Sequence, residues 1–258
     1  KAVFKVESGF SADTGAGNGG PNRQTYLGLA GGFGEVTFGN VYSAMDDVVG
    51  ASNSGFDSAL SASALVLAVN HGNGGVGGYN DKPRNAFKYV SPSFGGFSGG
   101  VSYSLDENRA TKANQTDFSV SYAAGPIAAN FSYQIQKNPA AAGDDLKLTA
   151  LNGSYDLGVA KLLASYGQAK FGAEKTTEYQ IGADVPLSPA LTLSVGYASS
   201  DDNAAAGDAE RTGYGIAAAY SLSKRTTVYG GYRSNKTEVG STKVDEGSVL
   251  AVGINHKF

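Results

Sequence analysis

The stretch LTLSVGYASS, residues 191–200, alternates large apolar side chains with small or polar ones. Leu191, Leu193, Val195 and Tyr197 share one parity, and Thr, Ser, Gly and Ala occupy the other. Successive side chains of a β-strand point to opposite faces, so this stretch predicts a strand with one apolar face. Three further stretches alternate in the same way: EYQIGADVPL (178–187), GFSGGVSYSL (96–105) and IAANFSYQIQ (127–136).

The alternation extends through most of the chain and predicts an all-β protein with fourteen strands. These lie near residues 1–10, 23–31, 34–42, 84–93, 96–107, 115–125, 126–137, 145–158, 160–170, 175–188, 191–202, 211–223, 226–236 and 248–258. Strands of globular proteins average about five or six residues, whereas a tilted membrane strand needs about 9–11. The predicted lengths therefore favour membrane-spanning strands.

The composition agrees with a β-barrel in a membrane. The chain of 258 residues is 41% hydrophobic and only 17% charged, with 37 Gly and 15 Tyr. No apolar run approaches the roughly 18 residues of a transmembrane helix, but a barrel spreads its apolar residues over alternate positions. The absence of Cys excludes disulfides and thiol chemistry. A net charge of −3 without a basic run gives no reason to expect a nucleic-acid partner.

Short and long connections alternate along the chain. Tight links are predicted near 31–32, 93–95, 125–126, 157–158, 186–190 and 221–225, with polar loops between them, including KFGAEK (170–175) and NKTEVGSTKVDEG (235–247). One long loop and one short turn per hairpin is the pattern of bacterial outer-membrane barrels. Tyrosines near strand ends on the apolar parity suit an interfacial girdle: Tyr103, Tyr122, Tyr133, Tyr166, Tyr197, Tyr220 and Tyr232. A soluble β-sandwich is the alternative reading.

Five stretches together resemble the general diffusion porins of Gram-negative outer membranes, in particular their β-proteobacterial branch. They are KAVFKVESGF (1–10), NRQTYLGLAGGFGEVTFGN (22–40), KYVSPSFGGFSGGVSYS (88–104), YSLSKRTTVYGGY (220–232) and VGINHKF (252–258). The resemblance implies a single-domain, antiparallel up-and-down transmembrane barrel of sixteen strands over residues 1–258, assembled as a homotrimer. Because the first segment resembles the third strand of that family, two strands are expected to precede this numbering.

The longest connection, about residues 43–83, matches the family's loop that folds into the barrel and narrows it. Loops beyond about 12–15 residues are commonly functional or disordered. Its middle, SALSASALVLAV (58–69), is too apolar for a freely solvated loop. We therefore expect this segment to pack against the inside of the barrel.

Strand parity predicts which charged side chains face the pore. Lys5 lies opposite to Phe4 and Val6, and Lys88 lies opposite to Phe87 and Tyr89. A cation on the lipid face near the midplane would cost roughly 2–4 kcal/mol, so the opposite parity is enforced physically. The predicted basic side of the constriction is Arg23, Lys82, Arg84, Lys5 and Lys88, and the predicted acidic side, on the inward loop, is Asp46, Asp47 and Asp57. The resemblance supports turning Arg23, at a strand end, into the pore; each base alone also fits a solvated wall.

The resemblance implies a water-filled channel for passive diffusion of small hydrophilic solutes and ions. The predicted charges add an expected weak anion preference, because the bases outnumber the loop acids. The alternatives are a structural or adhesin-type barrel with little conductance, and a substrate-selective channel. Only two His occur, His71 and His256, without supporting Ser or Asp spacing, so no enzyme is predicted. The acidic clusters offer no ligand set, and neither metal nor cofactor is expected.

The final strand ends on Phe258. It resembles the terminal signature that the outer-membrane assembly machinery recognises in this family, and it is expected to close the barrel against the first strand. Outer-membrane lipid and lipopolysaccharide are the other expected partners.

Overall fold

The computed structural model describes residues 1–9, 11, 14–17, 23–69, 76–105, 114–137, 139, 143–203 and 207–257. The strands are β1 (Ala2–Val6), β2 (Thr25–Gly31), β3 (Gly34–Asn40), β4 (Ala86–Val90), β5 (Phe97–Ser104), β6 (Gln115–Ala124), β7 (Ile127–Gln136), β8 (Leu146–Asp156), β9 (Lys161–Phe171), β10 (Glu174–Pro186), β11 (Leu191–Asn203), β12 (Ala209–Ser221), β13 (Thr226–Val239) and β14 (Thr242–His256). Two short helical turns, α1 (Asp46–Val49) and α2 (Ser54–Asp57), lie between β3 and β4.

All fourteen strands belong to one antiparallel sheet in which each strand pairs with the next along the chain. The predicted strand count and the up-and-down order are confirmed. β1 and β14 stand at the two ends of the strand order. Among the described residues, no helix combines the length and apolar character needed to cross a membrane.

The two faces of the sheet have opposite character. Large apolar side chains are exposed on the outer face, with Phe4 78% and Val252 87% exposed. The inner face buries polar side chains such as Gln134, Gln180 and Ser194. Apolar groups outside and polar groups inside suit a sheet surrounded by lipid. The parity predicted from the sequence is therefore confirmed.

Aromatic rings form rows across neighbouring strands of the outer face. Phe38 pairs in register with Phe87, and Phe87 with Tyr103. The ring centroids are 6.5 Å and 6.1 Å apart, within the range of tilted aromatic contacts. Cross-strand pairs of this kind stabilise the register of the sheet.

Two connections predicted as long polar loops are tight hairpins instead, and that prediction was wrong. β9 ends at Phe171 and β10 begins at Glu174, while β13 ends at Val239 and β14 begins at Thr242. Gly172 and Gly240 adopt positive φ angles of 58° and 59°, which a two-residue turn requires and glycine adopts readily. Polar strands continue the ladder here beyond the apolar stretch.

Candidate pore constriction

We call residues 43–83, between β3 and β4, the constriction loop. Its described residues, 43–69 and 76–83, lie along the inner face of the sheet. Its buried Met45, Val49 and Val69 pack against Leu146 and Leu148 of β8. The predicted packing of this apolar loop against the inside of the sheet is confirmed. The sheet therefore curves around the loop.

β10 holds the loop through side chains that accept hydrogen bonds from its backbone. The Glu178 carboxylate accepts from the N–H groups of Ala68 at 2.6 Å and Val69 at 3.1 Å. Two residues earlier on the same face, the Thr176 hydroxyl accepts from the Val76 N–H at 2.8 Å. Buried N–H groups need partners, and hydrogen bonds to a charged acceptor are stronger than neutral ones.

Glycines allow the loop to approach the sheet closely. Gly196 of β11 and Gly215 of β12 are direct cross-strand partners. A Cβ atom on Gly196 would lie 2.0 Å from Ser54 Oγ, and one on Gly215 would lie 2.3 Å from the Leu60 carbonyl oxygen. Any larger residue at these positions would displace the loop from the sheet.

A buried amide network fixes the end of the loop. The Asn80 N–H donates to Gln134 Oε1 at 2.8 Å, and Asn80 Nδ2 donates to Gln115 Oε1 at the same distance. The Asp117 carboxylate in turn accepts from Gln115 Nε2 at 2.9 Å and from Ser102 Oγ at 3.0 Å. The loop is thus anchored at its middle and at its end.

Two groups of opposite charges meet beside the loop. Lys88 of β4 lies 2.8 Å from Asp47 in the first turn of α1. Glu7, just beyond β1, lies 3.5 Å from Lys5 and 3.3 Å from Arg23. Glu7 shares the inward parity of Lys5, but the sequence did not predict that it belongs to the constriction.

Tyr42 connects further charged residues. Arg23 donates a hydrogen bond to the Tyr42 hydroxyl. Lys82 Nζ lies 5.1 Å from the centre of the Tyr42 ring, a cation–π distance, and is paired with Asp81. Asp81 and Tyr42 were not predicted from the sequence, although Asp81 directly precedes Lys82.

Two arginines stand apart from these pairs. Arg84 is exposed. Arg233 is buried on the inner face of β13. Neither forms an ion pair with any residue that the structure describes. Both therefore contribute positive charge that is not paired with a carboxylate among the described residues.

Asp46 lies at the start of α1. The Ser43 hydroxyl accepts a hydrogen bond from the Asp46 N–H at 3.1 Å, which begins the turn. The Tyr79 hydroxyl donates to the Asp46 carboxylate at 3.1 Å. Burial raises the pKa of Asp46 to about 6, Tyr79 opposes that rise, and the nearby Asp81 and Asp47 add to it. Burial also raises the pKa of Asp47, against the opposing effect of Lys88.

Asp57, the third predicted acid, lies in α2 rather than beside Asp46. Its carboxylate accepts from Asn53 Nδ2 at 2.8 Å. The structure therefore brings Lys88 together with Asp47, and Lys5 and Arg23 together with Glu7, whereas Arg84 and Asp57 lie outside these two groups. Phe258 and His71 lie outside the described residues.

A sheet of long strands with apolar groups outside, polar groups inside and an anchored inward loop defines an outer-membrane β-barrel channel. The chain belongs to the Gram-negative porin family, whose sequence model matches residues 1–240. It is therefore an outer-membrane channel protein and not an enzyme.

Two homologous porins support this assignment over the whole chain. Outer membrane porin protein 32 of Delftia acidovorans is 30% identical, with alignment over 100% of this chain and 80% of that protein. The major outer membrane protein P.IB of Neisseria lactamica is 27% identical, over 100% of this chain and 79% of that protein. These are β-proteobacterial porins, as the resemblance implied.

Solved structures show the same fold. The anion-selective porin from Comamonas acidovorans matches with a TM-score of 0.78 and 25% identity, over 100% of this chain and 84% of that one. The trimer form of in-vitro folded OmpT of Vibrio cholerae matches with a TM-score of 0.66 and 18% identity, over 90% of this chain and 78% of that one.

Proposed function

We propose that this porin forms a water-filled channel for passive diffusion of small hydrophilic solutes and ions. The observation that carries the proposal is the constriction loop, held on the inner face by Glu178, Thr176 and Asn80 beside a group of charged side chains. Fixed charges at a narrow aqueous opening admit polar solutes and disfavour apolar ones.

The constriction proposed here keeps the residues predicted from the sequence. Its basic side is Arg23, Lys82, Arg84, Lys5 and Lys88, and its acidic side is Asp46, Asp47 and Asp57, with Glu7 and Asp81 added. Glu7, Asp47 and Asp81 each contact a base, which cancels much of their field. Lys5 and Arg23 share the single carboxylate of Glu7.

Weak anion preference follows from this balance. Lys5 and Arg23 share one carboxylate, and Arg84 and Arg233 form no ion pair with the described residues, so the basic side outweighs the acidic side. The solved porin from Comamonas acidovorans described as anion-selective supports the same sign. Reversal potentials across planar bilayers in a salt gradient measure it, and clear cation selectivity would contradict it.

Two further measurements, conductance and solute permeation, separate the channel from the alternatives. Purified protein is expected to give stable current steps in planar bilayers, and permeation of sugars into liposomes is expected to fall smoothly with solute size. Silence would favour an adhesin-type or structural barrel. Permeation that favours one solute over smaller ones would favour a substrate-selective channel.

A homotrimer is the proposed assembly. Phe4, Val6, Leu27 and Leu29 form an exposed apolar patch on the outer face of β1 and β2. One solved structure with the same fold, in-vitro folded OmpT of Vibrio cholerae, is a trimer form. Current steps in groups of three and a trimeric mass in detergent are expected; a monomeric mass with single steps would contradict the trimer.

Lipopolysaccharide is the proposed lipid partner. Lys147 and Lys170 are direct cross-strand partners, as are Lys170 and Lys175. All three are exposed and share the outward parity of Leu151, Tyr166 and Tyr179. Like charges directly opposite one another are destabilising, and phosphate groups of the lipid would offset their repulsion. Co-purified lipopolysaccharide is expected to decrease when these lysines are replaced by Gln.

The assembly machinery remains the proposed partner of the final strand. Deleting Phe258 is expected to impair membrane assembly in cells while leaving the conductance of inserted pores unchanged. Normal assembly of the deletion variant would contradict this proposal.

A further inference from the structure

A cavity of about 420 Å³ lies between the constriction loop and the last three strands. Its lining includes Phe56 and Ser58 from the loop, Thr227 and Tyr229 from β13, and Asn255 and Lys257 at the end of β14. It therefore combines two aromatic rings, three neutral polar groups and one cation. None of these residues belongs to the charge pairs of the constriction.

Phe56 is held in the cavity by a strained backbone. Gly55, Phe56 and Asp57 have consecutive φ angles of 62°, 59° and 49°. Gly55 is fixed on both sides: its N–H donates to Ser194 Oγ at 2.8 Å, and its carbonyl accepts from Ser58 Oγ at 2.6 Å. A bulky residue rarely adopts this left-handed conformation. Nevertheless the Phe56 side chain remains 38% exposed, so burial of its ring does not explain the strain.

Tyr229 supplies the second ring of the cavity lining. It has the inward parity of β13, opposite to its outward neighbours Val228 and Tyr232. Its ring lies against Gly253 of β14, where a Cβ atom would be 2.5 Å from the Tyr229 hydroxyl and ring carbon Cζ. The glycine thus lets the ring lie flat on the inner face. Flat rings present a π-face to a solute in the lumen.

Lys257 supplies the charge. Its side chain is exposed, and the part of the chain that the structure describes contains no ion-pair partner for it. Asp57, the acid adjacent to Phe56 in sequence, is bound to Asn53 and does not line the cavity. An exposed ammonium that lines the same cavity as a Thr hydroxyl and an Asn amide suits a carboxylate.

We propose that this cavity is a binding subsite for aromatic monocarboxylates, with the ring between Phe56 and Tyr229 and the carboxylate at Lys257. The inference rests on the proposed channel function and adds a solute class to it. A ring without charge would lack the contact with Lys257, and a carboxylate without a ring would lack both aromatic contacts.

Benzoate tests the subsite in planar bilayers. We expect benzoate to reduce the ion current saturably, at concentrations about tenfold lower than acetate or benzyl alcohol require, since each loses one class of contact. Phe56→Ala and Lys257→Gln should each weaken the benzoate effect by about tenfold. Two matched controls should leave the benzoate effect unchanged. Leu65→Ala lies on the same loop and is also exposed at positive φ, and Lys224→Gln lies in a turn at the same end of the strands.

Equal effects of benzoate and acetate, or an unchanged benzoate effect in both variants, would overturn the subsite while leaving the channel intact. If a sugar acid such as glucuronate bound more strongly than benzoate, the proposal that the solute is aromatic would be wrong. If no current steps are seen, the channel proposal fails. The subsite can then be tested by calorimetric titration of the folded protein, in which benzoate should bind more tightly than acetate or benzyl alcohol.

Discussion

Lys88 Nζ on β4 lies 2.8 Å from Oδ1 and 2.9 Å from Oδ2 of Asp47, which joins the sheet to the first turn of the constriction loop. The side chains are only 13% and 34% exposed. Exposed ion pairs contribute about 0–1 kcal/mol, whereas breaking a buried pair costs about 3–5 kcal/mol. This half-buried pair lies between these limits, and it holds equal and opposite charges in the proposed constriction.

Replacing Lys88 by Gln should leave the Asp47 carboxylate uncompensated. We expect the reversal potential to shift towards cations and the free energy of unfolding to fall by about 1–2 kcal/mol, between the exposed and buried cases. The double variant Lys88→Gln/Asp47→Asn restores zero net charge and should recover most of the wild-type selectivity. Lys224→Gln, in an exposed turn, serves as the control. A wild-type reversal potential in Lys88→Gln would show that this pair does not act on permeating ions.

Glu178 is expected to hold the middle of the constriction loop in place. Glu178→Ala removes the acceptor of two buried N–H groups, and hydrogen bonds to charged groups contribute about 1.5–3 kcal/mol. We expect brief current fluctuations and faster proteolysis within residues 58–69. Glu178→Gln keeps one oxygen and should have an intermediate effect. Glu246→Ala, at an exposed ion pair on β14, is the control; equal behaviour of the two Ala variants would refute the anchoring role.

Gly215 is expected to set the distance between the loop and the sheet. A Cβ atom in Gly215→Ala would lie 2.3 Å from the Leu60 carbonyl oxygen, so the loop must move towards the lumen. Overpacking of this kind costs about 1–3 kcal/mol. We expect lower single-channel conductance and lower stability. In the control Gly247→Ala the nearest atom is 3.5 Å away, so equal conductance of the two variants would contradict the steric argument.

The strands could be predicted from the sequence because lipid imposes period-two alternation on their apolar residues. That signal stops where the strands leave the apolar region. Lys236 and Glu246 are register partners in a continuing ladder, yet the polar sequence around them indicated a loop. Alternation among polar residues gives no contrast in hydropathy. The last residues of β13 and the first residues of β14 could therefore not be predicted from the sequence.

The site was predictable only in part, for a related reason. Parity identifies the face of Lys5 and Lys88, since a wrong assignment would place a cation in lipid. The partner of each charge depends on the path of the loop. Contacts such as Glu178 with Ala68 join positions more than 100 residues apart. Neither periodicity nor spacing contains that information.

Asp46 should make the selectivity depend on pH. Its folded pKa is raised from 3.8 to about 6 by burial, with Asp81 and Asp47 adding to the rise and Tyr79 and Lys82 opposing it. Its contribution to stability is therefore fully present below pH 3.8 and is lost as the pH rises through about 6. Between pH 7 and pH 5 the carboxylate becomes neutral, so the reversal potential should move towards anions. Asp46→Asn should show that stronger anion preference already at pH 7 with little further change at pH 5, whereas Asp57→Asn should retain the pH dependence; an unchanged pH profile in Asp46→Asn would assign the titration to another group.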